Sequence, residues 1–129
     1  MLRNTKTINS IIQACQGNFL PRFNYKKVNK LIQGNCIIID ARLEDDYKEG
    51  HIPDAISVPI DSSDKYRRQA LTGIELNKPI LVYCQSRGCA FAEEIAVKLE
   101  NDGFMNVSLY PGGWNDWNER NSSVFEETN

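Results

Sequence analysis

Apolar positions along the chain switch between two periods. Ile8, Ile11, Ile12 and Cys15 recur at helical spacing, as do Val28, Leu31 and Ile32. The first set predicts a helix over 5–16 that Gly17 can end, the second a short helix that Gly34 can stop. Cys36-Ile37-Ile38-Ile39 and Ile80-Leu81-Val82-Tyr83, by contrast, are apolar without a break, the one running into Asp40 and the other into Cys84. Continuous runs of that length predict strands over 36–40 and 80–83, buried on both faces as in a parallel sheet. Between them the pattern predicts an acidic helical turn over 43–49, a brief strand over 56–58 ended by Pro59, and an exposed polar helix over 62–70. Phe91, Ile95 and Leu99 form one stripe of a helix over 90–101, with Glu93 and Glu94 early and Gly103 at its end. A strand over 107–110, a turn at Pro111-Gly112-Gly113 and an amphipathic helix over 114–119 close the pattern. Such alternation of helix and strand predicts an α/β fold with a mainly parallel sheet.

A chain of 129 residues fits one domain. Residues 21–120 are expected to form it, after an N-terminal helical extension over 1–20 and before a flexible polar tail over 121–129. The extension could pack on the core, mediate a dimer or mark the junction with a partner protein or flanking domain. Hydrophobic residues are 41% and charged residues 25% of the total, with a net charge of −2, and the basic residues are dispersed, which argues against nucleic acid as a partner. No apolar run approaches the length of a transmembrane segment. The first six residues lack the apolar stretch of a signal peptide, so a cytoplasmic location is expected, although a domain excised from a longer protein would read the same way.

Four cysteines, Cys15, Cys36, Cys84 and Cys89, are expected to be reduced, since a core of this size needs no disulfide. With one histidine and no Cys-x-x-Cys pair, neither a metal site nor a cofactor is expected. The chemistry converges on Cys84-Gln85-Ser86-Arg87-Gly88-Cys89, which joins the most apolar strand to a helix. A tight loop there, with Ala90 leading into the helix, aims several backbone N–H groups at one spot, and the helix dipole adds about half a positive charge. A thiolate at Cys84 is therefore expected to be stabilised, its pKa falling below the ordinary cysteine value. The plainer reading, a small hydrophobe at a strand end, explains the loop less well. Cys89 reads either as a helix-start residue or as a resolving thiol. Asp40, Arg42 and Asp46 read as an ion pair locking the first strand to the next turn. His51 is expected to fix its turn by hydrogen bonding rather than to activate Cys84; Trp114 and Trp117 read as core and rim residues of the last helix, with a pocket wall as the alternative for Trp114.

These residues also carry a resemblance. Asp40-Ala41-Arg42 with Asp46-Tyr47, Gly50-His51-Ile52-Pro53-Asp54-Ala55 through Val58-Pro59, the strand into Cys84, and Gly112-Gly113-Trp114 with Trp117 together resemble the rhodanese-like domain family from about residue 25 to residue 120. Asp46 stands where Glu is usual, and Asp54 where Gly is common. The resemblance implies a three-layer fold with a mostly parallel five-stranded sheet flanked by helices. It also implies a sulfurtransferase in which Cys84 accepts sulfane sulfur as a persulfide, cradled by amides of Gln85, Ser86, Arg87, Gly88, Cys89 and Ala90. The donor would be thiosulfate, polysulfide or a protein persulfide, and the acceptor a thiol or another thiophile. Two other readings stand beside it: dithiol/disulfide or persulfide-releasing chemistry by Cys84 and Cys89, and a non-catalytic binding module. Many members carry Arg five residues after the cysteine, where this chain has Cys89, leaving Arg87 as the loop's cation and weakening the case for thiosulfate. The related phosphatases need an Arg where Ala90 stands, which argues against phosphatase activity.

Overall fold

The computed structural model describes residues 19–127, the last five as backbone alone. The expected helix over 5–16, with Cys15, lies outside them. The described elements run α1 (Tyr25–Ile32), β1 (Ile37–Asp40), α2 (Glu44–Glu49), β2 (Ile56–Ser57), α3 (Asp64–Ala70), β3 (Ile80–Tyr83), α4 (Phe91–Asn101), β4 (Val107–Tyr110) and α5 (Gly113–Glu127). Local chemistry sets several of the starts. Asn24 caps α1 by accepting the Lys27 amide at 3.1 Å, and Ser63 caps α3 by accepting the Tyr66 amide at 3.0 Å.

The four strands are parallel in the order β2-β1-β3-β4, with Asp40 beside Tyr83 and Tyr83 beside Tyr110 in register. All four residues of β3 are fully buried, because helices cover both faces. Its side chains alternate between two cores. Ile80 and Val82 face Ile95, Ala96 and Leu99 of α4, whereas Leu81 and Tyr83 face Val28 of α1 and Trp117 of α5. Each fully buried Leu or Ile contributes about 1.5–3 kcal/mol relative to exposure. The α/β arrangement expected from the pattern, with the three layers that the resemblance implies, is therefore present.

Four expectations change in detail. Among the described residues the sheet has four strands rather than five. Its fifth position, beside β4, is reduced to a single bridge between Arg22 and Leu109, with the Phe23 amide donating to Leu109 O and the Leu109 amide to Pro21 O, both at 2.8 Å. Pro21 has no N–H to give, and Asn24 already caps a helix, so one residue is left to pair. The strands also begin or end a residue inside the expected runs, with Cys36 outside β1 and Val58 outside β2. The polar helix α3 is not wholly exposed. Arg67 is buried and forms 2.7 Å ion pairs to Asp64 and Asp102, tying α3 to the end of α4. Finally, α5 runs to Glu127, past residue 119 and through much of the segment expected as a tail.

Candidate active site

The carboxyl ends of parallel strands form the crevice in which ligands bind in open α/β sheets. Cys84 directly follows β3 at that edge, only 3% exposed. The chain then turns, the Cys89 amide donating to Ser86 O at 3.0 Å, and enters α4 through Ala90. Among the described residues no side-chain hydrogen bond caps the start of this helix. The amides of Ala92 and Gln85 act on the Cys84 sulfur in the sense that favours its anion, while the thiol donates to Cys89 O at 3.4 Å. Ala92 lies beyond the six residues expected to build the cradle.

The loop is also pinned from behind. The Trp114 amide donates to Cys84 O and the Asn115 amide to Gln85 O, both at 2.9 Å. That approach requires Gly113, which has φ +63 and leaves no room for a Cβ against Cys84 O. Gln85 Nε2 adds a 2.5 Å bond to Asn115 Oδ1.

The electrostatics correct the expected thiol pKa. Burial first, and the neighbouring Cys89 thiol after it, push the Cys84 thiol up to about 12, outweighing the two amides. The cradle acts in the expected direction, but desolvation by α4 and the loop is the larger effect.

Beside the sulfur lies a pocket of about 210 Å³. Ser86, Arg87 and Cys89 line it from the loop, Glu93 from α4, and Tyr110 and Pro111 from the end of β4. Arg22, which the sequence pattern did not single out, lines it from the bridge strand. Trp114 does not line it. Its indole lies instead over the Arg42 guanidinium at 5.1 Å and against Gly50.

Arg42 organises the other side of the loop. Buried with Asp40, it donates through Nη2 to Asp40 Oδ2 at 2.8 Å and to Gly50 O at 2.6 Å, and through Nη1 to Gln85 Oε1 at 3.3 Å. The Tyr83 hydroxyl completes the Asp40 carboxylate at 2.6 Å and accepts the Ile52 amide at 3.0 Å. Burial and the Asp40 charge both hold that phenol above its ordinary pKa. Asp46 acts on Arg42 only as a more distant charge. His51 Nδ1 is 2.8 Å from Tyr47 O, and its ring stacks on Tyr47 at 3.8 Å, as expected of a residue that fixes its turn. Asp54 takes φ +64 in that turn, the region glycine favours and Asp tolerates. Among the described residues no cluster of His, Cys, Asp or Glu could hold a metal, and no helix is long and apolar enough to cross a membrane.

Comparison with known proteins agrees with this geometry. A family model described as the rhodanese-like domain matches residues 24–120. The chain is 34% identical over 94 residues to a thiosulfate:glutathione sulfurtransferase of Saccharomyces cerevisiae, covering 64% of this chain and 65% of that protein. It is 33% identical over 85 residues to an HTH-type transcriptional regulator of Mycobacterium tuberculosis, covering 65% of this chain but 35% of that protein. A crystal structure of a Bacillus halodurans protein superposes with a TM-score of 0.70 at 26% identity, covering 88% of this chain and 82% of that one. From the strand-end cysteine, the parallel sheet and the extent of the match, the chain belongs to the rhodanese-like domain family.

Proposed function

We propose that this chain is a sulfurtransferase that carries sulfane sulfur as a persulfide on Cys84. One observation carries the reading: Cys84 ends a central parallel strand at a pocket, with amides of the loop and of α4 acting on its sulfur. With thiosulfate as donor, the Cys84 thiol first loses its proton to solvent. The thiolate then attacks the outer sulfur of thiosulfate, the S–S bond to the sulfonate sulfur breaks, and its electron pair leaves with sulfite. The Ala92 and Gln85 amides that act on the Cys84 sulfur would help to stabilise the negative charge left on the persulfide. In the second half, an acceptor thiolate attacks that sulfur and the electron pair returns to Cys84, so one transfer becomes two easier steps. The yeast relative is named for thiosulfate and glutathione. A small thiol is accordingly the acceptor class proposed here, with polysulfide or a protein persulfide as other donors for the same first step.

A second reading is favoured by the position of Cys89, whose carbonyl accepts from the Cys84 thiol and which lines the same pocket. Attack of the Cys89 thiolate on the inner sulfur of the persulfide would form a Cys84–Cys89 disulfide and release hydrosulfide, with no added oxidant. Intact mass spectrometry after exposure to thiosulfate or polysulfide tests both. The first reading expects one added sulfur in the wild-type and Cys89→Ser proteins and none in Cys84→Ser. Sulfide release with loss of two hydrogens, dependent on both cysteines, would favour the second. No mass change in any of the three proteins would reject both and leave a binding module.

A further inference from the structure

The Cys84 pocket takes a cation from outside its loop. Arg22 lies in the bridge beside Leu109 at the sheet edge and lines the pocket together with Arg87 of the loop. Its Nη1 donates to Leu20 O at 3.0 Å and its Nη2 to Glu93 Oε1 at 2.8 Å. Glu93 stands in the first turn of α4 and lines the same pocket. The two side chains are 34% and 46% exposed, so the pair stands at the mouth of the pocket rather than in the core. Solvent screening leaves such a pair little stabilising value.

The chemistry of a sulfane donor gives the pair a different use. In a thiosulfate-like donor the reacting sulfur is attached directly to an oxyanion, so when that sulfur meets Cys84 the charge lies farther out, on the walls. Resting on the sulfur-transfer reading above, we infer that Arg22 and Arg87 hold the anionic end of the sulfur donor, and that Glu93 is the counter-ion the donor displaces from Arg22. Arg22 thereby supplies, from the sheet edge, a second cation beside Arg87 of the loop. A guanidinium is suited to the exchange because it can offer two parallel N–H groups to a carboxylate or to an oxyanion in turn. Glu93 also repels the donor, so the two halves of one ion pair act on binding with opposite sign.

That opposition separates this role from a structural one, in which loss of either partner would shift binding the same way. Thiosulfate is titrated calorimetrically into Cys84→Ser protein, which binds without turnover, and into the same protein carrying Arg22→Gln, Glu93→Gln or, as a charge control away from the pocket, Lys48→Gln. Arg22→Gln is expected to weaken binding about tenfold, as for loss of one charge-assisted contact. Glu93→Gln is expected to tighten it, and Lys48→Gln to leave it unchanged. Shifts of the same sign for Arg22→Gln and Glu93→Gln, an equal shift for Lys48→Gln, or no binding to any of the four proteins would overturn the assignment. Failure of the underlying reading is seen separately, as a wild-type Cys84 that gains no sulfur by mass.

Discussion

A guanidinium that is 3% exposed has to place its donors inside the protein, and Arg42 places them on Asp40, Gly50 O and Gln85. Removing it leaves a buried carboxylate whose remaining side-chain partner is the Tyr83 hydroxyl. Arg42→Met is therefore expected to cost about 3–5 kcal/mol in urea denaturation, the range for breaking a buried ion pair from one side. It should also loosen the loop through Gln85. The Cys84 thiol, pushed up to about 12 chiefly by burial, is expected to alkylate slowly at neutral pH. Its rate with iodoacetamide, followed by mass in a Cys89→Ser background, should climb steadily from pH 7 to beyond pH 9. A plateau reached near neutrality would contradict the raised pKa. The cysteine itself, its loop and the Asp40–Arg42 pair were legible in the sequence because each is a matter of neighbours in the chain. The sign of the thiol shift was not, because desolvation depends on how closely α4 packs over the loop.

Among the elements, β3 and β4 match the sequence pattern to the residue, whereas β1 begins one residue inside its apolar run. β3 and β4 each have all four residues buried. The fifth strand was not legible, since a one-residue bridge at Arg22 has no periodicity and is fixed by a partner more than eighty residues away. The place of Arg22 on the pocket wall has no sequence signal for the same reason. The junction of β4, the glycine turn and α5 yields a paired prediction. Gly113→Ala forces a Cβ against Cys84 O at φ +63, and is expected to destabilise by at least about 1 kcal/mol and to disturb the active loop. Gly88→Ala meets nothing within 4 Å and has no positive φ, so its denaturation midpoint should stay within about 0.5 kcal/mol of wild type. Thermal or urea unfolding of the two variants side by side checks both.

For the whole molecule, the clearest pH dependence lies on the alkaline side. Burial raises the Cys84 thiol to about 12 and the Cys36 thiol to about 11, and it holds the Tyr83 and Tyr110 phenols above their ordinary values. Each of these groups is neutral when protonated, so the folded chain keeps protons that the unfolded chain releases. Their contribution is fully present below the unfolded values, 9.0 for the thiols and 10.0 for the phenols, and is lost as pH rises through the folded ones. Melting temperature is expected to be nearly flat from pH 7 to about 9 and to fall steeply above about 10. A fall beginning below pH 8 would point to other groups. The bonds from Trp114 and Asn115 to the carbonyls of Cys84 and Gln85 have one further consequence. Those two amide protons are locked only while the loop is seated, although they belong to a different helix. Their exchange with deuterated solvent should keep time with the opening of the loop, making the start of α5 a clock for access to Cys84.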